Sequence, residues 1–190
     1  MSLDRDRARY PGIETARLRL RPLAPEDLGA IHRLWVNPEV RKYLWDDERI
    51  SKERARSVIA TSIEDFESHG FGLWAVIPAE DEELIGFCGF RSLEDAPEIE
   101  LLYGISPPYW GMGLATEAAR AAIRYGFEEA GFDRILGIAD TENEASRRVL
   151  EKAGMRFEKH TIYEGRDEVR YEISLQEFRP DGAPYTLRRA

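Results

Sequence analysis

Ser106-Pro-Pro-Tyr-Trp-Gly-Met-Gly-Leu-Ala-Thr-Glu-Ala-Ala119 decides how this chain is read. An apolar run, Ile99 to Ile105, reads as a strand, and Pro107-Pro108 stops it. Gly111 and Gly113 allow a tight turn, and an alanine-rich helix begins at about Leu114. Backbone N–H groups at such a helix start have no intrahelical partners, and the helix dipole adds roughly half a positive charge there. The pattern therefore predicts an anion seat, phosphate being the usual occupant. A dinucleotide-binding GxGxxG would need glycine where Thr116 stands, and a P-loop would need GK[ST] after its first glycines. Neither is present. From GxG alone, a plain strand-to-helix connection stays open as an alternative.

Working outward, Arg134 to Ala139 reads as a short apolar strand after the helix Leu114–Ala130. The strand–helix–strand unit is a right-handed crossover by rule, so strands 99–105 and 134–139 are expected to lie parallel. Upstream, Thr15 to Leu23 alternates, with Leu18 and Leu20 on one face and Arg17, Arg19 and Arg21 on the other. Pro25 opens a helix that Asn37-Pro38 ends. Ser51 is read as the N-cap of a second helix and Gly70 as its stop. Phe71–Ile77 and Leu84–Phe90 read as a hairpin. Downstream, Thr141-Glu-Asn-Glu144 has the spacing of a capping box. A helix follows to Ala153, and Phe157–Tyr163 and Glu168–Leu175 read as two final strands. This order predicts an α/β fold (α+β) built on one mixed, mostly antiparallel sheet with flanking helices. One domain over 1–190 is expected, with a core at about 14–178 and peripheral ends at 1–12 and 180–190.

The chain has 190 residues, 43% hydrophobic and 33% charged, an ordinary globular mix. Lysine plus arginine number 27 against 36 acidic residues, a net charge of −9, which disfavours nucleic acid as the main partner. No apolar run is long enough to span a membrane, and no secretory signal is visible, so a cytoplasmic protein is expected. Cys88, in an apolar run, reads as a buried inert thiol. His32, His69 and His160 fall in no metal-ligand spacing, and no metal is expected.

The turn also resembles motif A of the GNAT (GCN5-related) N-acetyltransferases, [Q/R]-x-x-G-x-[G/A], with Gly113 and Ala115 in register and Trp110 in place of Gln/Arg. The string YWGMGLATEA, the N-terminal TARLRLRPL and PEDL, the LW-NPEV-(x)2-YL stretch and ENEASRRVLEKAGM are similar to the RimJ/RimL-like branch. The resemblance implies the acyl-CoA N-acyltransferase fold and acetyl transfer from acetyl-CoA directly to a primary amine, a protein N-terminus or a small molecule. It places the diphosphate on backbone N–H groups of Met112, Gly113, Leu114, Ala115 and Thr116. Pantetheine would run between the two parallel strands beside Tyr103, Gly104 and Ile105, and Asn143 matches an asparagine that can bond it.

Direct attack of an amine on a thioester needs a base, an oxyanion donor and a proton for the leaving thiolate. The family often places a glutamate where Glu100 stands, with Glu98 two residues earlier as the reserve. A backbone N–H near Tyr103 is read as the oxyanion donor. Leu150 occupies the position of the family's acid tyrosine and cannot donate, so Ser146 is read as the donor instead. Trp45 and Asp46, followed by Asp47 and Glu48, lie in the region that borders the acceptor in this family, and favour a cationic amine. A non-catalytic acyl-CoA sensor is the competing reading, and a homodimer is left open.

Overall fold

The computed structural model describes residues 10–45, 47–93 and 98–188. In chain order they form β1 (Gly12–Thr15), β2 (Leu18–Pro22), a 3₁₀ turn (Pro25–Asp27), α1 (Leu28–Trp35), α2 (Pro38–Leu44), α3 (Lys52–His69), β3 (Leu73–Pro78) and β4 (Gly86–Ser92). There follow β5 (Ile99–Ile105), a second 3₁₀ turn (Pro107–Tyr109), α4 (Leu114–Glu128), β6 (Arg134–Asp140), α5 (Glu144–Lys152), β7 (Arg156–Tyr163), β8 (Arg166–Ser174) and β9 (Tyr185–Arg188). The nine strands make one sheet in the order β7-β8-β6-β5-β4-β3-β2-β1-β9. Every neighbouring pair is antiparallel except β5–β6.

Alternation along the strands sorts the side chains into two cores. Leu18, Leu20, Trp74, Phe90, Leu101 and Ile135 pack under α4, whose Ala118, Ala119 and Ala122 let the helix approach closely. On the other face, Ala75, Ile77 and Phe87 meet Ile31, Trp35 and Ile59 of α1 and α3. No helix among the described residues is long and apolar enough to cross a membrane.

The structure departs from the sequence reading in four places. The strand expected over Thr15–Leu23 is the shorter β2, with Leu18 and Leu20 buried as the alternation predicts, and the unexpected β1 before it pairs with it as a hairpin. The C-terminal tail, read as peripheral, places β9 against β1, pairing Gly12 with Arg188 and Thr15 with Tyr185. Asn37-Pro38 ends α1 and also starts α2: the Asn37 side chain accepts from Glu39 N–H at 2.9 Å, with proline at the first helical position. The capping box at Thr141 is not used. Asn143 caps α5, its Oδ1 accepting from Ser146 N–H at 3.1 Å, while Thr141 Oγ1 is buried without a partner among the described residues.

Candidate active site

The parallel pair β5–β6 is the mechanical centre of the site. Its register runs through one residue pair, Glu100–Leu136. Beyond it, Tyr103–Ile105 pairs outward with β4, and Ile138–Asp140 pairs outward with β8. The facing edges are thus left with backbone N–H and C=O groups that a ligand can pair with. Ile105 carbonyl is already engaged by the Trp110 indole N–H at 2.6 Å, which ties the start of the glycine turn to the end of β5.

The turn itself is exposed. Gly111 and Gly113 both take left-handed backbone, φ 76° and 77°, which L-residues with a Cβ adopt only under strain. Gly113 is the N-cap of α4 and offers no capping side chain. The N–H groups of Leu114, Ala115 and Thr116 therefore have no intrahelical partner. A cleft of about 220 Å³ flanks this end of α4, lined by Arg17, Gly113, Thr116, Arg120 and Tyr185 among others.

Glu100 is 3% exposed, and Arg91 donates to its Oε2 at 2.6 Å. Burial pushes its carboxyl above the usual range, opposed by Arg91 and Arg170. Glu98 differs. Arg170 donates to it at 2.7 Å and Arg134 is also bound to it; these contacts outweigh its burial and hold its carboxyl low. A base gains from a raised pKa, so the environment favours Glu100 of the two.

Tyr103 lies on the opposite face of β5 from Glu100 by alternation. Its hydroxyl is 2.7 Å from Ser146 Oγ and donates to Ser146 carbonyl at 2.9 Å. Burial drives the phenol pKa well upward, so it remains protonated. Leu150, at the tyrosine position of the family helix, is fully buried. Sequence reasoning missed the Tyr103 hydroxyl: only the fold shows that it reaches α5. Asn143 serves as helix cap, and its side-chain NH₂ remains a donor for a ligand.

In the region where the sequence reading expects the acceptor, Trp45 packs edge-on against Trp35, centroids 5.4 Å apart, and its buried indole N–H has no partner among the described residues. Asp46 lies outside the described residues. Asp47 is tied to Arg41 at 3.2 Å, so its charge is partly spent. The sequence reading missed two carboxylates: Glu168, which feels the charge of Glu100, and Asp140 across from it. Glu168 is raised by burial and then by Asp140 and Glu100, and Asp140 by burial and then by Glu142, with Lys42 opposing. Their signal was a cross-strand one, Asp140 opposite Glu168, which the linear sequence does not display.

The sequence profile of the acetyltransferase (GNAT) domain matches residues 17–156, most of the chain. The chain belongs to the GNAT acetyltransferases. It is 35% identical over 150 residues to the uncharacterized N-acetyltransferase YoaA of Bacillus subtilis, covering 78% of this chain and 85% of the relative. It is 29% identical over 149 residues to the spermidine N(1)-acetyltransferase of Escherichia coli K12, covering 77% of each. The crystal structure of a GNAT-family acetyltransferase from Bacillus anthracis superposes with a TM-score of 0.74 at 28% identity, covering 87% of this acetyltransferase and 99% of that chain. The acetyltransferase thus moves an acetyl group from acetyl-CoA to an amine. Its mixed sheet with flanking helices is the expected GNAT fold.

Proposed function

We propose that this enzyme acetylates a cationic primary amine, with Glu100 as base on one face of the sheet and Ser146, backed by Tyr103, as proton donor on the other. The observation that carries this reading is the placement of the groups: Glu100 and Tyr103 project to opposite faces of β5, and the Tyr103 hydroxyl meets Ser146 of α5 at 2.7 Å. A thioester threaded between β5 and β6 is attacked from the Glu100 side and can receive a proton at sulfur from the Ser146 side. In this reading the diphosphate of acetyl-CoA lies on the N–H groups of Met112 to Thr116. The pantetheine arm pairs with β5 near Tyr103 and Gly104 and bonds Asn143. A backbone N–H near Tyr103 polarises the thioester carbonyl.

The chemistry needs no covalent enzyme intermediate. Glu100 takes a proton from the ammonium and releases it to solvent, the amine attacks the thioester carbon, and the tetrahedral intermediate gives its second nitrogen proton to Glu100 as it collapses to the amide with loss of the thiolate. Ser146 Oγ–H supplies the thiolate proton and regains one from solvent, while the Tyr103 hydroxyl, 2.7 Å away, holds the serine in place. Glu168, with Glu100 and Asp140 partly offset by Arg91 and Arg166, gives the acceptor side more carboxylates than cations, and Trp45 supplies an aromatic wall, which together suit an ammonium. The polyamine acceptor named for the Escherichia coli relative agrees with that charge pattern. The RimJ/RimL-like features of the sequence keep a protein N-terminus as the second acceptor class.

The test is a thiol-release assay with acetyl-CoA against polyamines, peptide N-termini and neutral amines of similar size. The reading expects kcat/KM to be highest for a multiply charged amine. Equal or better turnover of a neutral amine would overturn the cationic assignment.

A further inference from the structure

Glu117 stands in the first turn of α4, over the glycine turn, where a bare carboxylate would oppose an incoming phosphate. Its two oxygens are fully engaged by the β1–β2 connection. Oε1 accepts from the Thr15 hydroxyl at 2.7 Å and from Arg17 N–H at 2.9 Å. Oε2 accepts from Arg17 Nε at 2.7 Å and lies 2.6 Å from Nη2. Burial pushes the carboxyl up, but these bonds together hold it low. The same guanidinium reaches on to the glycine turn, where Nη1 donates to Met112 carbonyl at 2.9 Å. A Cβ on Gly113 would stand 3.7 Å from Arg17 Nη2. One side chain therefore joins the β1–β2 connection, the first turn of α4 and the middle of the glycine turn.

The C=O and N–H of one trans peptide unit point in opposite directions. With Met112 carbonyl drawn toward Arg17, Gly113 N–H is turned away from the guanidinium. Glycines on both sides of Met112 would otherwise let that peptide rotate at little cost. We propose that Arg17, oriented by Glu117 and Thr15, is a positioning residue that locks the Met112–Gly113 peptide with its N–H turned to the diphosphate of acetyl-CoA. The ion pair also cancels the Glu117 charge beside that anion. The inference rests on the reading that the diphosphate lies on this turn, and it adds a residue that acts through the backbone.

Arg17→Ala and Arg17→Lys are compared with wild type in the full chain. Calorimetry gives Kd for CoA, kinetics give kcat/KM with S-acetylpantetheine, which lacks the diphosphate, and thermal melts report folding. Lysine keeps the charge but lacks the fork that bridges Glu117 and Met112. Both variants are expected to raise Kd for CoA about tenfold or more, the scale of one lost charge-assisted hydrogen bond. Turnover of S-acetylpantetheine should stay within about twofold of wild type, because an effect confined to the diphosphate spares the truncated donor. A wild-type Kd in Arg17→Lys reduces the role to charge and overturns the lock. Equal losses for both ligands make Arg17 merely structural and also overturn it. Wild type that prefers CoA to pantetheine, beside an unaffected Arg17→Ala, sinks the lock alone. Wild type without that preference removes the diphosphate reading beneath it.

Discussion

The Tyr103 hydroxyl, carried by β5, stands 2.7 Å from Ser146 Oγ at the start of α5, and so couples the strand beside the thioester opening to the helix beyond it. In the proposed mechanism the pair takes the role left empty by Leu150. A buried phenol behind the serine gives it a fixed orientation. Ser146→Ala and Tyr103→Phe should each lower kcat about tenfold or more while leaving Kd for CoA unchanged. The double variant should be little worse than either single one, because the two act as a unit. Stopped-turnover kinetics on the three variants checks this. Full additivity would separate the two residues.

Salt should act on the acceptor more than on acetyl-CoA. The proposed acceptor side carries Glu100, Asp140 and Glu168, whereas the diphosphate is assigned to backbone N–H groups. Raising ionic strength should raise KM for a cationic acceptor, since screening acts over about 8–10 Å. Glu168→Gln should raise it at low salt and flatten the salt dependence. A KM indifferent to both would leave these carboxylates as surface charge. Asp47, paired with Arg41, is expected to matter less than Glu168.

Glu117 also makes a stability prediction. Its carboxyl is held below the usual range in the fold, so its contribution is present above the unfolded-state pKa and disappears as pH falls through the folded one. Glu117→Gln should cost about 1–2 kcal/mol at neutral pH. The difference from wild type should shrink at a pH below the folded-state pKa, where both states carry protonated carboxyls. Denaturant melts at the two pH values measure it. A constant gap would mean that the loss is packing and not charge.

Gly113→Val should strain the turn through its left-handed φ of 77° and narrow the approach to its backbone. A folded variant is expected to lose CoA affinity by tenfold or more on the same hydrogen-bond scale, about 1.4 kcal/mol. Calorimetry with CoA decides it, and an unchanged Kd would move the diphosphate elsewhere.

The parts of this molecule that are local in sequence could be read from it. Ile99–Ile105 is a strand between the same residues in both readings, because its apolar run ends on two prolines. Gly70 stops α3 in left-handed backbone, as its place after the helical pattern implies. What escaped is nonlocal. β9 is four residues long, and only its pairing with β1 across the whole chain makes it a strand. The carboxylates Asp140 and Glu168 meet only when β6 and β8 pair. Tyr103 reads as a backbone contact until α5 brings Ser146 to its hydroxyl. Asn37-Pro38 shows a different ambiguity, since the same two residues that end one helix are a good cap and first residue for the next.

The pH–rate profile of wild type against Glu100→Gln tests the central claim most directly. As the proposed base Glu100 works as a carboxylate, and burial raises its pKa above the usual range, so wild-type kcat/KM should fall on the acid side as Glu100 takes up a proton. In Glu100→Gln that limb should vanish. Turnover should drop by about 10²–10⁴-fold near neutral pH, and the deficit should narrow at alkaline pH, where the amine arrives already deprotonated. A folded Glu100→Gln enzyme with the wild-type profile and rate would contradict the account.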